Sequence, residues 1–305
     1  MIRRLLLLAF ALLTGCSGGG PSKGTLAISI MTSRNPFFNV IGETFKAEAE
    51  KAGYRVIVVS GDDDPAKQQN QVKEFLVQKV RAIVLCPCDS KAIGPVIREA
   101  NAAGVPVFTA DLGCLDPEAK VVTHVATDNF AGGKEAGLAM IKALGEAGGK
   151  VAVLDHKVAE SCILRVNGFK EVIAAHNKAN PTKKIEIVAE LAGGGDRDKG
   201  FKVAQDLITS HGDLAGIFAI NDPSALGAWA ALEAAKKADQ VKIIGFDGQP
   251  EGKQAIREGK IYADPIQFPD KIARVTFDCV QKHFEGKELP REILIPTALF
   301  RKNSE

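Results

Sequence analysis

Two adjacent phenylalanines, a set of carboxylates and amides, and one arginine share a single kind of address in this chain. Most fall just past the C-terminal end of a short apolar run, with Arg165 in the helix that follows one and Gln267 where the chain should cross back between lobes. Asn35, Phe37 and Phe38 follow the first run and Asp111 follows the fourth. Asp155, His156, Arg165, Asn221, Asp222 and Asp247 follow later ones, and Gln267 closes the set. Carboxylate and amide oxygens accept hydrogen bonds from hydroxyls, while amide and guanidinium nitrogens donate to them. Phenyl rings offer a flat apolar surface to C–H groups. Together these types suit a polyhydroxylated ligand, whose hydroxyls need both partners and whose carbons need neither. Taken singly, each residue has another use. Phe37 and Phe38 suit a helix core, and Asp222 suits an N-cap before Ser224. Asp247 suits a turn in Gly245–Gly248, and Arg165 suits an exposed helix face.

The runs that precede these residues have strand length. Thr25–Met31 is continuously apolar, as a strand buried on both faces must be. Tyr54–Ser60, Ala82–Cys86, Val105–Ala110 and Val121–Ala126 follow, then Lys150–Leu154, Ile185–Leu191, Gly216–Ile220 and Val241–Phe246. Between them, helical periodicity marks Phe37–Ala52, Pro65–Gln78, Ser90–Ala103, Asn129–Leu144, Ser161–Ala175, Lys199–Thr209 and Ser224–Ala235. Strand–helix–strand alternation predicts parallel sheets with helices on both faces. The pattern restarts near Ala126–Gly133, so the chain reads as two doubly wound α/β lobes of about 120 residues each, an ordinary domain size. In such sheets ligands bind beyond the carboxyl ends of the strands, where the candidate residues stand. A helix at Asp270–Phe284 and a strand-like Ile293–Phe300 are too few for a third domain and are expected to return to the first lobe.

Composition narrows the function. The 305 residues carry a formal net charge of +2 with acids and bases interspersed, so no basic stripe points to nucleic acid. No GxGxxG follows the first strand, no phosphate loop with lysine is present, and neither a Gly-x-Ser-x-Gly elbow nor His-Glu-x-x-His occurs. Gly193–Gly195 ahead of Asp196 is therefore a loop, no enzyme chemistry is expected, and neither is a cofactor. Of six cysteines, Cys86, Cys88, Cys114, Cys162 and Cys279 lie within the lobes. They suit buried packing, or a disulfide from Cys86 or Cys88 to Cys114 in an oxidising compartment. A soft-metal site using these thiols and His156 matches no established zinc spacing, so no metal is expected.

The first residues, MIRRLLLLAFALLTGC, place two arginines before an apolar run too short to span a bilayer. Leu13-Thr14-Gly15-Cys16 resembles a bacterial lipobox. The resemblance implies a signal peptide over 1–15, lipidation of Cys16, and a spacer over 16–24. The protein is then expected in the periplasm, held to a membrane through the lipid alone.

Six motifs occur in order: Asn35-Pro36-Phe37-Phe38, Thr127-Asp128-Asn129, Arg165 with Gly168-Phe169, Asn221-Asp222, Gly245-Phe246-Asp247-Gly248, and Gln267-x-Pro269-Asp270. Together they resemble the ribose-binding group of periplasmic solute-binding proteins across roughly residues 25–300. The resemblance implies two Rossmann-like lobes joined by three crossing strands, the type I periplasmic binding protein fold. It divides the chain into 25–127 plus 268–296, and 128–267 plus 297–305. It implies hydrogen bonds to a sugar from Asn35, Asp111, Arg165, Asn221, Asp247 and Gln267, with Phe37 and Phe38 stacking on it. His156 and Cys88 are further candidates. A pentose, hexose or polyol would be captured by hinge closure and delivered by the monomer to an ABC permease with a separate ATPase. The same fold also serves as a receptor for chemotaxis or two-component signalling. Sugar-responsive repressors share it but need an N-terminal helix-turn-helix, where this chain has an export signal. The chain departs from the group at Leu112, where ribose binders carry arginine, and at Gly195, where they carry an aromatic ring.

Overall fold

The computed structural model describes residues 22–304; the signal segment, Cys16 and most of the spacer lie outside that range. The chain opens with β1 (Thr25–Ile30), α1 (Pro36–Lys51), β2 (Arg55–Ser60), α2 (Pro65–Val77), β3 (Ala82–Leu85), α3 (Gly94–Ala102), β4 (Val107–Ala110) and β5 (His124–Thr127). It continues with α4 (Asn129–Leu144), β6 (Gly149–Asp155), α5 (Glu160–Ala179), β7 (Ile185–Ala192), α6 (Arg197–Ser210) and β8 (Leu214–Ala219). Next come α7 (Asp222–Ala234), β9 (Lys242–Ile244), α8 (Pro250–Arg257), β10 (Ala263–Ile266), α9 (Pro269–Phe284), β11 (Glu292–Ile295) and β12 (Ala298–Arg301).

Two sheets result, one per lobe. The first has order β11-β5-β4-β3-β1-β2 and the second β12-β10-β9-β8-β6-β7, so the two repeat one another strand for strand. All pairings are parallel except β10 with β12. The chain crosses between sheets after β5, after β10 and after β11. These crossings make the three-stranded hinge expected of the type I periplasmic binding protein fold. Ile293–Phe300 is not the single strand its apolar pattern suggests. Pro296 and Thr297 divide it into β11 in the first sheet and β12 in the second, because proline withholds the N–H that a continuous ladder needs. The short α8 and β10 carry too few apolar residues to stand out by periodicity.

Helix starts are set by side-chain caps. Asn35 accepts the Phe37 N–H at 3.0 Å, and Asp64, Asp128, Asp196 and Asn221 cap α2, α4, α6 and α7 in the same way. Pro36, Pro65, Pro250 and Pro269 occupy first helical positions, where a missing N–H costs nothing. Buried faces lock the helices to the sheets. Phe37, Phe38, Ile41, Phe45 and Ala49 line one side of α1, and Phe169 of α5 stacks on Phe218 of β8 with centroids 4.6 Å apart. Glycines let the helices of the second lobe approach closely. A Cβ at Gly133 of α4 would stand 2.0 Å from the Arg165 carbonyl, so only glycine lets α4 and α5 meet backbone to backbone.

Candidate functional site

The carboxyl ends of both sheets face a cavity of about 470 Å³ between the lobes, within the usual size range for small-molecule sites. Asn35, Phe37, Phe38, Cys88 and Asp111 line it from the first lobe; His156, Arg165, Asn221 and Asp247 line it from the second, and Gln267 from a hinge crossing. Two carboxylates of the sequence set stand outside the wall. Asp155 turns back on its own loop and accepts the His156 N–H at 2.6 Å. Asp222 accepts the Gln249 N–H at 2.7 Å.

Arg165 anchors the second lobe's half. Its Nε donates to Asn129 Oδ1 at 2.8 Å, and Nη1 donates to the Ile220 carbonyl at 2.7 Å and to Asp247 Oδ1 at 3.1 Å. The guanidinium lies 3.9 Å from the centroid of Phe246. Such a stack and ion pair hold the charge in place where only 4% of the side chain is exposed. Asp247 Oδ1 also accepts from Gln267 Nε2 at 2.6 Å. Burial raises the Asp247 pKa, while Arg165 and the amides of Gln267 and Gln249 pull it back.

Asp111 is its counterpart on the first sheet, following β4 as Asp247 follows β9. Both adopt left-handed backbone, with φ of +66° and +98°. Outside glycine, only Asn and Asp enter that region readily. Asp111 Oδ1 is buried without a hydrogen-bond partner. Burial pushes its pKa up to about 7, with Arg165 pulling down and Asp247 and Glu160 pushing up. Gln267 Oε1 and His156 Nε2 are also buried and unpartnered. Burial lowers the His156 pKa, which favours a neutral imidazole. Asn221 Oδ1 is spent on the Ser224 N–H and its Nδ2 reaches the Gly195 carbonyl at 3.0 Å. Gly195 has φ of +65°, so an aromatic ring could not replace it without backbone strain.

The rest of the wall mixes apolar residues with charged ones, among them Arg34, Asp63, Asp89, Asp196, Arg197 and Lys199. Phe37 and Phe38 meet edge to face at 5.3 Å, both buried and both facing the cavity, so core packing and ligand contact are compatible. Leu112, Cys162, Val158 and Ala159 join them. Cys88 Sγ donates to the Met31 carbonyl at 3.3 Å, and burial pushes the thiols of Cys88 and Cys162 up to about 12. The five cysteines of the described residues are free thiols, four of them buried, so no bridge joins Cys86 or Cys88 to Cys114. No group of three or more His, Cys, Asp or Glu among the described residues is placed to hold a metal.

Sequence reasoning missed three features. Cys162 was not identified as a wall residue. Asp264 of β10 is buried beside Asp222; burial and Asp264 push Asp222 well above the carboxylate range, while burial and Asp247 push Asp264 up to about 6 against the pull of Asp222. A charged residue inside an apolar strand was the available signal. Contacts across the cleft were also invisible: Ser90 N–H donates to the Val158 carbonyl at 3.0 Å, Glu160 N–H to Ser90 Oγ at 3.1 Å, and Gln249 Nε2 to Asn35 Oδ1 at 2.9 Å. The lobes are closed on the cavity.

Known proteins resemble this chain in sequence and fold. The chain is 37% identical over 282 residues to the ribose import binding protein of Salmonella typhimurium, covering 92% of each. It is 32% identical over 306 residues to the D-apiose import binding protein of Paraburkholderia graminis, covering 98% of this chain and 95% of that one. The Caulobacter myo-inositol binding protein, solved with myo-inositol bound, superposes with a TM-score of 0.84 at 28% identity, over 93% of this chain and 95% of that one. The periplasmic binding protein domain matches residues 26–288, and with these relatives it makes this chain a member of the periplasmic binding protein family.

Proposed function

We propose that this protein captures a neutral sugar or polyol between its lobes and delivers it to an ABC importer, performing no chemistry on it. One observation carries the reading. Asp111 Oδ1 and Gln267 Oε1 are buried acceptors without protein partners, set in the wall beside two phenylalanine rings. A buried polar atom left unsatisfied costs about 1–3 kcal/mol, so a hydroxyl-bearing ligand gains by filling that need. The relatives named for ribose and D-apiose import support the same class. Leu112 in place of a cation, and Gly195 in place of an aromatic, favour a ligand other than ribose.

The lobes proposed are 25–127 with 268–296 and 128–267 with 297–305, closing about the hinge on a ligand held by Asn35, Phe37, Phe38, Asp111, Arg165, Asn221, Asp247 and Gln267. His156 and Cys88 complete the wall. The protein acts as a monomer in the periplasm, anchored through lipidated Cys16. A melting-temperature screen of residues 25–305 against D-ribose, D-allose, D-apiose, L-arabinose and myo-inositol tests the ligand class. A sugar at about 100 times its Kd stabilises the native state by about 2.7 kcal/mol, a shift of several degrees. A well-folded protein that responds to none of them refutes the reading. Loss of membrane association in Cys16→Ser tests the anchor.

A further inference from the structure

Gln249 stands outside the cavity wall yet touches both halves of the site. Its backbone N–H is held by Asp222 Oδ2 at 2.7 Å. It immediately precedes α8, but its side chain makes no capping bond to that helix. The amide is free to extend toward the cleft, where Nε2 lies 2.9 Å from Asn35 Oδ1 and 3.4 Å from Asp247 Oδ2. Because the Phe37 N–H already donates to Asn35 Oδ1 at 3.0 Å, that atom is fixed as an acceptor and Gln249 must present its amino group. Its two amide hydrogens are thereby divided between the lobes.

We infer that Gln249 is a positioning residue that couples lobe closure to the ligand-holding side chains, through a hydrogen bond across the cleft to Asn35. The inference rests on the capture reading above. The bond to Asp247 lies within the second lobe and survives opening, whereas the bond to Asn35 exists only when the lobes meet. Closure therefore aligns Asn35 and Asp247 on one shared partner before any ligand contact is counted. Since the bridge uses protein groups alone, it also favours the closed arrangement in the sugar-free protein.

The test compares wild type, Gln249→Leu, Asn35→Ala and the double variant by small-angle X-ray scattering without sugar, and by titration with whichever of D-ribose, D-allose, D-apiose, L-arabinose and myo-inositol raises the wild-type melting temperature most. Leucine keeps the backbone N–H and much of the volume but removes both side-chain bonds. Expected is a larger radius of gyration for Gln249→Leu, reporting a closed-to-open ratio reduced roughly two- to tenfold, the range of one net hydrogen bond. Its affinity for that sugar should fall by a similar factor with faster release, and its melting temperature should stay near wild type. The double variant should be no more open than the worse single one, since each removes the same bond; a merely structural role would give additive effects. Scattering unchanged by Gln249→Leu, or additive opening in the double variant, overturns the inference. Failure of wild type to bind any sugar of the screen would refute the capture reading, and the sugar-free scattering would still decide the role of Gln249.

Discussion

Replacing Asp247 with asparagine removes a charge while keeping shape, and the structure sets what that should cost. Asp247 and Arg165 are a buried pair, with 3% and 4% of their side chains exposed. Breaking such a pair from one side costs about 3–5 kcal/mol, because the remaining charge is stranded. Three features reduce the figure. Arg165 keeps the Ile220 carbonyl, Asn129 and the Phe246 face. The asparagine oxygen restores roughly one neutral bond, about 1 kcal/mol. Asp111 lies within electrostatic reach of the guanidinium and ionises more readily once Asp247 is neutral. The net expectation is a loss of about 2–3 kcal/mol, or about 4–10 °C in melting temperature for a protein of this size. Asp247→Ala should cost about 1–2 kcal/mol more, since alanine has no acceptor and pays the left-handed penalty at φ of +98°. Urea unfolding of the sugar-free proteins at pH 7.5 measures both. An asparagine variant within about 0.5 kcal/mol of wild type would refute the account of Asp247 as counter-ion to Arg165, since that figure derives from a stranded buried charge; an alanine variant no worse than asparagine would refute the acceptor and backbone costs assigned to that position.

Three further outcomes are expected. Because Asp111 titrates near 7 in the fold and near 3.8 when unfolded, the fold favours its neutral form. That contribution is complete below about pH 4 and is lost as pH rises through 7, so Asp111→Asn should flatten the fall in urea midpoint between pH 5 and 8, and an unchanged slope would refute it. Ser90→Ala removes the acceptor for Glu160 N–H across the cleft; sugar affinity should drop about two- to tenfold with little change in unliganded melting, measured by calorimetry. Leu112→Arg sets a cation beside Asp111 and should re-rank the sugars of the melting screen toward ribose; an unaltered ranking would show that Leu112 does not govern choice.

The fold was legible because the strands are apolar runs and most helices begin at a side-chain cap or a proline. Asn35, Asp196 and Asn221 are both punctuation and, at the cleft, wall. What escaped notice is where two short elements meet tertiary constraint. β11 and β12 share one apolar run, and only the sheet each pairs with separates them. The site's own residues share one address, past the strand ends, and the structure brings Asn35, Phe37, Phe38, Asp111, Arg165, Asn221, Asp247 and Gln267 to one cavity. Asp155 and Asp222 had the same address, yet their carboxylates serve backbone N–H groups instead. Nothing in sequence distinguishes those roles, because they depend on side-chain direction after the turn. Gln249 was hidden for a different reason: its partner is 214 positions away.

The left-handed backbone at Asp111 and Asp247 has a bearing on how this protein can be redesigned. At those two positions the tolerated alphabet is little more than glycine, asparagine and aspartate. A mutant library randomised there would consist largely of members carrying about 1–2 kcal/mol of backbone strain. New ligand chemistry must come from neighbours on ordinary backbone, such as Leu112, His156 and Cys162. Diversification in this cleft is thus channelled into a ring of permissive positions around two fixed acids.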